Sequence, residues 1–183
     1  MIFFVADLFA EDYSGGAELT TQAIIDGTQL PVLKIRTSQL NKQIIDKFKD
    51  NFWIFGNFAN LSDSTLIHIS QNINYSILEY DYKFCKFRSE EKHIAAEGSC
   101  ECRLSSRGKA VSIFMAHAKN LWFMSEGQKE FYCDLYPFLK KQTTKVLSSV
   151  FDEQSLKYFS DYKIPEKNNK WLIQKSQSWI KGT

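Results

Sequence analysis

The sequence has no long apolar run and almost no excess of either charge. No stretch approaches the roughly 18 apolar residues of a membrane-spanning helix. The formal net charge is +2 and no block of Lys and Arg stands out, which argues against a nucleic-acid-binding surface. The apolar opening segment lacks the basic region and the cleavage site of a signal peptide. These absences predict a cytoplasmic protein with no transmembrane segment and no nucleic-acid partner.

The composition is that of a folded domain with a bulky core. The chain has 183 residues, of which 44% are hydrophobic and 15% aromatic, including fifteen Phe. This length is enough for one domain with a sizeable buried core. The four Cys are expected to be thiols or metal ligands, because a reducing cytoplasm disfavours disulfides.

Short apolar runs alternate with helix-length amphipathic segments along the chain. This rhythm predicts an α/β fold, a Rossmann-like parallel sheet with helices on both faces. The predicted strands are Ile2–Ala6, Val32–Arg36, Phe52–Phe55, Ser76–Tyr80, Leu121–Met124, Lys145–Ser149 and Trp171–Gln174. The predicted helices are Ala17–Thr28, one from Thr37 or Ser38 to Lys49, one from Ser62 or Asp63 to Ile73, Lys109–Ala118, Glu126–Lys141 capped by Ser125, and Asp152–Phe159.

A polar segment at 82–108 interrupts the rhythm. It shows no clear periodicity, holds three of the four Cys, and is predicted to be an irregular insertion. Thiols and an imidazole are the ligand types of a structural zinc site, although the spacing matches no common zinc-finger template. The alternative is three unpaired thiols in an irregular loop. The candidate metal ligands are Cys85, His93, Cys100 and Cys102.

Three stretches of the chain resemble the retaining GT-B glycosyltransferases, the large family that includes sucrose and glycogen synthases. VADLFAEDYSGGAELTTQAII resembles the first strand, glycine loop and helix of that family. LWFMSEGQKEFYCDLYPFLKKQTTKVLSSVFDEQSLKYF is similar to the last part of its N-terminal domain. Ser148–Asp152 departs from the Asn-Gly that commonly precedes Asp there. KWLIQKSQSWIKG resembles the first strand of the family's second domain.

The resemblance implies a domain organisation and an activity. Residues 1–166 would be the Rossmann-like, acceptor-side N-terminal domain, and 167–183 would begin a C-terminal nucleotide-sugar-binding domain. The complete enzyme would transfer a sugar from a nucleotide-sugar donor to a hydroxyl acceptor with retention, and would need no metal for the chemistry. The fragment alone would be inactive, and its apolar end could pair two copies into a homodimer. The alternative is a non-catalytic Rossmann-like binding or scaffold module with a metal-stapled loop.

The glycine loop is the first candidate binding element. The pair Gly15-Gly16 precedes the predicted helix, whose second residue is Glu18, and all three residues are candidates for binding the donor phosphate. Glycine lets the backbone approach a ligand, and a helix N-terminus favours a phosphate, so a positive φ or an open cleft is expected at this pair. The resemblance implies that this loop faces the donor's diphosphate. The alternative is a strand-to-helix turn without a ligand.

Ligands of open α/β sheets bind beyond the carboxyl ends of the strands. Asp81 follows the fourth strand, and the resemblance places it where family members carry a His or Asp near the reacting sugar. It is the catalytic candidate on the acceptor side, and a solvent-exposed turn residue is the alternative. Arg88 could meet an anionic acceptor nearby. Glu126 is more readily explained as a first-turn helix carboxylate. The substrate-binding candidates at this edge are Asp7, Asn57, Arg88, Ser125 and Glu126.

Overall fold

The computed structural model describes residues 1–162. Residues 1–150 form one compact unit, and a second unit begins at Phe151. None of the helices within residues 1–162 has the length and apolar character needed to cross a bilayer. The strands are β1 (Ile2–Ala6), β2 (Val32–Arg36), β3 (Phe52–Phe55), β4 (Asn74–Glu79), β5 (Leu121–Phe123) and β6 (Thr144–Val146). The helices are α1 (Gly16–Gly27), α2 (Lys42–Lys47), α3 (Asp63–Asn72), α4 (Glu90–Glu97), α5 (Ser106–His117), α6 (Glu126–Leu135) and α7 (Glu153–Asp161).

The six strands form one all-parallel sheet in the order β2-β1-β3-β4-β5-β6. This confirms the predicted Rossmann-like α/β class. Only one strand lies beyond β1, whereas the dinucleotide-binding Rossmann sheet has two there. The strand order reverses between β1 and β3, and such a reversal opens a crevice at the carboxyl ends of the strands.

Helices cover both faces of the sheet, but unequally. Alternate strand residues such as Phe3 and Phe55 pack against α2, α3, α5 and α6, forming the larger core. The residues between them, such as Phe4 and Ile54, pack against Ile24 of α1 and form a smaller core. An apolar cavity of about 240 Å³ remains between α1 and the sheet.

Two predicted helices are shorter in the structure. A single helix from Thr37 or Ser38 to Lys49 was wrong, because the chain forms a 3₁₀ turn and then restarts where Asn41 caps α2 by accepting from the Ile44 amide at 3.0 Å. The helix predicted over Glu126–Lys141 ends at Leu135. Pro137 follows and disfavours helical conformation in the residue before it, so the chain continues as a 3₁₀ helix.

The segment 82–108 is more regular than predicted. Ser89 caps α4 by accepting from the Lys92 amide at 3.3 Å, and acidic residues fill the first turn. Gly98 ends α4 in the left-handed conformation, with φ of 83°. The prediction of an irregular insertion was therefore wrong for these residues. The strand at Trp171–Gln174, the boundary at 166 and the pairing through 167–183 lie outside the described residues.

Candidate functional site

Charged and polar side chains gather at the carboxyl edge of the sheet, beside the β1–β3 reversal. They come from the ends of β1, β3 and β4 and from the loop after β4. Three were predicted as site residues after these strands, and Arg88 was predicted to lie near them. The carboxyl-edge cluster consists of Asp7, Asn57, Glu79, Asp81, Lys83 and Arg88.

Asp7 joins β1 to the loops that follow β2 and β3. Its carboxylate accepts from the Thr37 hydroxyl at 2.7 Å and from the amides of Ala59 at 3.0 Å and Asn60 at 3.2 Å. Its own amide donates to the Asn57 carbonyl at 2.6 Å. Asp7 therefore fixes the shape of the crevice and has part of its hydrogen-bonding capacity already filled.

Asp81 is held between two cations. Lys83 Nζ lies 3.0 Å from one carboxylate oxygen, and Arg88 pairs with the other. Burial acts to raise the pKa of Asp81, but the two cations outweigh it and hold the pKa below its usual value. The carboxylate thus remains ionised, with 24% of the side chain exposed. Asp81 is suited to accepting a hydrogen bond and poorly suited to accepting a proton.

Glu79 is the last residue of β4 and is fully buried. One of its oxygens is 3.4 Å from Lys83 Nζ, and the other has no hydrogen-bond partner within residues 1–162. Burial raises the pKa of Glu79 to about 7, against the opposing effect of Lys83. Lys83 is itself buried, with its ammonium 5.0 Å from the centroid of the Phe58 ring. A buried cation therefore serves two carboxyl groups.

Arg88 reaches into the crevice from the segment 82–108. Its guanidinium pairs with Asp81 and donates to Asn57 Oδ1 at 2.9 Å. Burial acts to lower the pKa of Arg88, but pairing with Asp81 raises it overall. Its backbone has a φ of 55°, which is uncommon for a residue other than glycine. Arg88 thus connects the ends of β3 and β4.

Three residues of this region were not identified from the sequence. Arg107, in α5, donates to the carbonyls of Leu61 at 2.6 Å and Ala59 at 3.2 Å and so fastens the loop after β3. Glu79 and Lys83 form the buried ion pair. The sequence signal for the ion pair was the charged residues at every second position, Glu79, Asp81 and Lys83, at the end of a buried strand. Buried charges there need partners of opposite sign.

The glycine loop lies at the start of α1, but its glycines do not have the expected backbone. Gly15 has a φ of −92°, and Gly98 is the only glycine with positive φ among residues 1–162. A Cβ on Gly15 would collide with the Glu18 carboxylate and lie 2.6 Å from the Tyr13 ring. A Cβ on Gly16 would meet nothing within 4 Å. Neither glycine has the positive φ that was one of the two expectations, and close packing explains Gly15; the open space at Gly16 leaves the other expectation, an open cleft, as a prediction.

Replacing Gly15 with alanine should lower the free energy of unfolding by about 1–3 kcal/mol, because the new methyl group overpacks the start of α1. Gly16→Ala is the matched control and should change stability by less than about 0.5 kcal/mol, because its Cβ enters open space. Urea unfolding of both variants measures the difference. Equal stability of the two variants would contradict the packing assigned to Gly15.

Ser125 and Glu126 lie at the carboxyl end of β5, as predicted, and both are exposed. Ser125 caps α6 by accepting from the Gln128 amide at 3.1 Å, which confirms the predicted cap. Glu126 lies in the first turn of α6, 3.0 Å from Lys129 Nζ. No contact joins either residue to the carboxyl-edge cluster within the described chain. Their positions are accounted for by the start of α6.

The four residues proposed as metal ligands converge in the structure. Their ligand atoms all lie within 4.8 Å of one another. His93 Nδ1 is 3.4 Å from Cys85 Sγ and 3.4 Å from Cys102 Sγ, and Cys100 Sγ is 3.9 Å from Cys85 Sγ. Bonds of about 2.3 Å to sulfur and 2.0–2.1 Å to nitrogen give tetrahedral edges of roughly 3.5–3.8 Å. Three separations within the Cys/His group, Cys85, His93, Cys100 and Cys102, are therefore close to tetrahedral edges, and all four ligand atoms are near enough to hold one metal ion.

The imidazole of His93 is oriented by the carboxylate of Glu97. Glu97 Oε2, one turn along α4, lies 3.0 Å from His93 Nε2 and also accepts from Lys86 Nζ at 2.7 Å. This leaves Nδ1 facing the thiols. A carboxylate on the outer nitrogen is the usual support of a metal-bound histidine. Helix α4 thus supplies both the ligand and its support.

The thiols of the group form no disulfide, and all four cysteines of the chain are free. Burial raises the pKa of Cys85, and it raises the pKa of Cys100 to about 12. The thiols of Cys85 and Cys100 are therefore protonated in the absence of a cation, and a bound ion must displace their protons. Cys133 lies outside the group and is buried in α6, as predicted.

One stretch of chain contributes residues both to the carboxyl-edge cluster and to the Cys/His group. The loop after β4 carries Asp81 and Lys83, the turn that follows carries Cys85 and Arg88, and α4 carries His93.

Comparison of the chain with known proteins finds no matching family model, no matching curated protein and no matching solved structure.

Proposed function

We propose that this chain is the acceptor-side half of a GT-B glycosyltransferase that transfers a sugar from a nucleotide-sugar donor to a hydroxyl acceptor. The observation that carries the proposal is the carboxyl-edge cluster at the strand-order reversal of an all-parallel sheet. That is the ligand-binding edge of open α/β sheets. The order of the three sequence stretches that resemble the family supports the same assignment.

In the proposed reaction, Asp81 orients the acceptor. The acceptor oxygen forms a bond to the anomeric carbon, the bond from that carbon to the donor diphosphate breaks, and the acceptor proton passes to the departing diphosphate oxygen. Because its pKa lies below the usual value, Asp81 accepts a hydrogen bond from the acceptor hydroxyl without removing the proton. Arg88 and Lys83 hold the carboxylate in place.

The start of α1 is proposed to face the donor diphosphate. Gly16 is the first residue of α1, and its surroundings are open. The backbone N–H groups of a helix N-terminus and its positive dipole end favour phosphate. The resemblance of the glycine loop to the family's donor-facing loop supports this placement.

The test uses the full reading frame that contains this chain, with a panel of nucleotide sugars and hydroxyl acceptors. Gly16→Val should slow transfer about tenfold or more, because the side chain covers the helix N-terminus. Gly27→Val is the matched control, because Gly27 ends the same helix and also has nothing within 4 Å of its Cβ position. The chain alone should show no transfer, because catalysis needs donor and acceptor held together.

Three outcomes would count against the proposal. Equal turnover of the Gly16→Val and Gly27→Val proteins would remove the phosphate-facing role of the loop. Transfer by residues 1–183 alone would show that the division into two halves is incorrect. The absence of transfer by the full reading frame with every donor would favour the second candidate, a non-catalytic Rossmann-like binding or scaffold module with a metal-stapled loop.

We also propose that the Cys/His group holds one structural zinc ion. Three separations between its ligand atoms are close to the edges of a tetrahedral zinc site, and three thiols with one imidazole are a zinc donor set. Four protein ligands close the coordination sphere, so the ion would orient the segment 82–108 and would not bind substrate. The thiol ligands suit a protein of the reducing cytoplasm.

A further inference from the structure

One turn of chain belongs to both the Cys/His group and the carboxyl-edge cluster. The amide of Cys85 donates to the Tyr82 carbonyl at 2.9 Å, and the amide of Arg88 donates to the Cys85 carbonyl at 2.9 Å. Cys85 Sγ lies 3.5 Å from the Ser89 carbonyl oxygen. The backbone of Arg88 is therefore bracketed by a residue of the Cys/His group and by the residue that caps α4.

The conformation of Arg88 needs this support. Arg88 and Ser148 are the only non-glycine residues with positive φ among residues 1–162. A side chain in the left-handed region is unfavourable and persists when surrounding contacts hold it there. The guanidinium is held by Asp81 and Asn57, and the backbone is held by the turn that Cys85 begins.

We propose that a metal ion in the Cys/His group controls the carboxyl-edge cluster by fixing Arg88 against Asp81 and Asn57. This inference rests on the zinc proposal above and adds a regulatory role to it. When the ion is bound, Cys85 and His93 are tied together across Arg88, and the guanidinium connects the ends of β3 and β4. When the ion is lost, the turn relaxes and Asp81 keeps only Lys83 as its counter-charge.

Thermodynamic reciprocity makes the coupling measurable without any substrate. If bound metal favours the paired state of Arg88, then breaking the pair must weaken metal binding by the same factor. Arg88→Ala should therefore weaken zinc affinity about tenfold in competition with a colorimetric chelator. Arg88→Lys keeps a charge for Asp81 and should restore part of the affinity. Arg36→Ala is the control, because Arg36 pairs with Asp12 outside the segment.

A second measurement observes Arg88 directly. The chain contains only four arginines, Arg36, Arg88, Arg103 and Arg107, so guanidinium signals in a nitrogen-15 NMR spectrum can be assigned from single variants. Removing zinc should speed hydrogen exchange at Arg88 Nη2, the atom that contacts Asp81 and Asn57, at least about tenfold and leave the Arg36 guanidinium unchanged. This readout applies even where the Arg88→Ala protein folds poorly.

The possible outcomes distinguish the coupling of zinc to Arg88 from the existence of the zinc site itself. Zinc affinity of Arg88→Ala within twofold of wild type, in a wild-type chain that does bind zinc, overturns the coupling and leaves the zinc site standing. Unchanged exchange at Arg88 after zinc removal does the same. A wild-type chain that binds no zinc overturns the zinc site and the coupling together.

Discussion

Protein purified without added metal or chelator should carry about one zinc ion per chain, and Cys100→Ser should lose most of it. Cys100 lies 3.9 Å from Cys85 and completes a four-ligand set. A hydroxyl is a poor replacement for a thiolate, so the remaining three ligands should hold zinc weakly. Elemental analysis of the wild-type and variant proteins measures the loss.

Structural zinc contributes strongly to folding in small domains, with apparent binding free energies of about 10–16 kcal/mol in zinc-finger peptides. Here most of the sheet core lies outside the segment 82–108, so the loss should be concentrated in that segment. Cys100→Ser should therefore increase its hydrogen exchange and its cleavage by proteases, with β1 and β3 remaining protected.

Cys133→Ser is the matched control, since Cys133 is a buried thiol outside the group. It should retain zinc at the wild-type level. The zinc proposal would be contradicted if wild-type protein carried far less than one zinc ion per chain while its segment 82–108 was well ordered. Equal zinc loss in both serine variants would show that zinc binding depends on general stability.

Lys83→Met should lower the free energy of unfolding by about 1–2 kcal/mol at pH 8, because the variant leaves the buried carboxyl of Glu79 without its cation. Lys83 Nζ serves both Glu79 and Asp81, and the side chains of Lys83 and Glu79 are fully buried. Methionine retains the length and apolar stem of lysine, so the effect should report the lost charge. Urea unfolding at several pH values measures it.

The loss should be smaller at pH 5. The pKa of Glu79 is about 7 in the folded chain, compared with a usual value of 4.5. The folded state therefore keeps a proton that the unfolded chain releases, and this stabilisation is full below about 4.5 and fades as the pH rises through 7. At pH 5 the carboxyl is neutral with or without Lys83. Above pH 7 the variant must keep Glu79 protonated, at a cost of about 1.4 kcal/mol per pH unit.

Glu79→Gln is the control for this titration, because it keeps the shape of the side chain and removes its charge. Between pH 5 and pH 8 the wild-type protein should lose about 3 kcal/mol more stability than Glu79→Gln. The Glu79→Gln/Lys83→Met double variant should show little pH dependence of its own. An equal loss for Lys83→Met at pH 5 and pH 8 would contradict the buried pairing of Lys83 with Glu79.

The buried strands were the most predictable part of the fold. β1, β2 and β3 have the predicted bounds, and β1 and β3 are short apolar runs ended by a polar residue or glycine. The sheet order was not predicted, because apolar runs such as Ile2–Ala6 and Phe52–Phe55 do not specify which strands are neighbours. α4 was missed because its helical face is short, although Ser89 and Gly98 mark its two ends.

The candidate site shows a similar division. Asp7, Asn57 and Asp81 could be located because they follow strands, and the Cys/His group because its residue types are rare. Their surroundings could not be anticipated, since Arg107 reaches across more than forty residues to the loop after β3. The pairing of Arg88 with Asp81 and Asn57 could not be predicted either. It depends on a turn with positive φ at Arg88, and sequence periodicity does not indicate such a turn.

The sheet order has a consequence for the newly made chain. β1 and β2 can pair first, β3 then joins the free edge of β1, and each later strand adds beside the one before it. No strand must insert between two that are already paired. The N-terminal parts of a chain leave the ribosome first, so this sheet can be extended strand by strand during synthesis, with a single growing edge exposed at a time after β3.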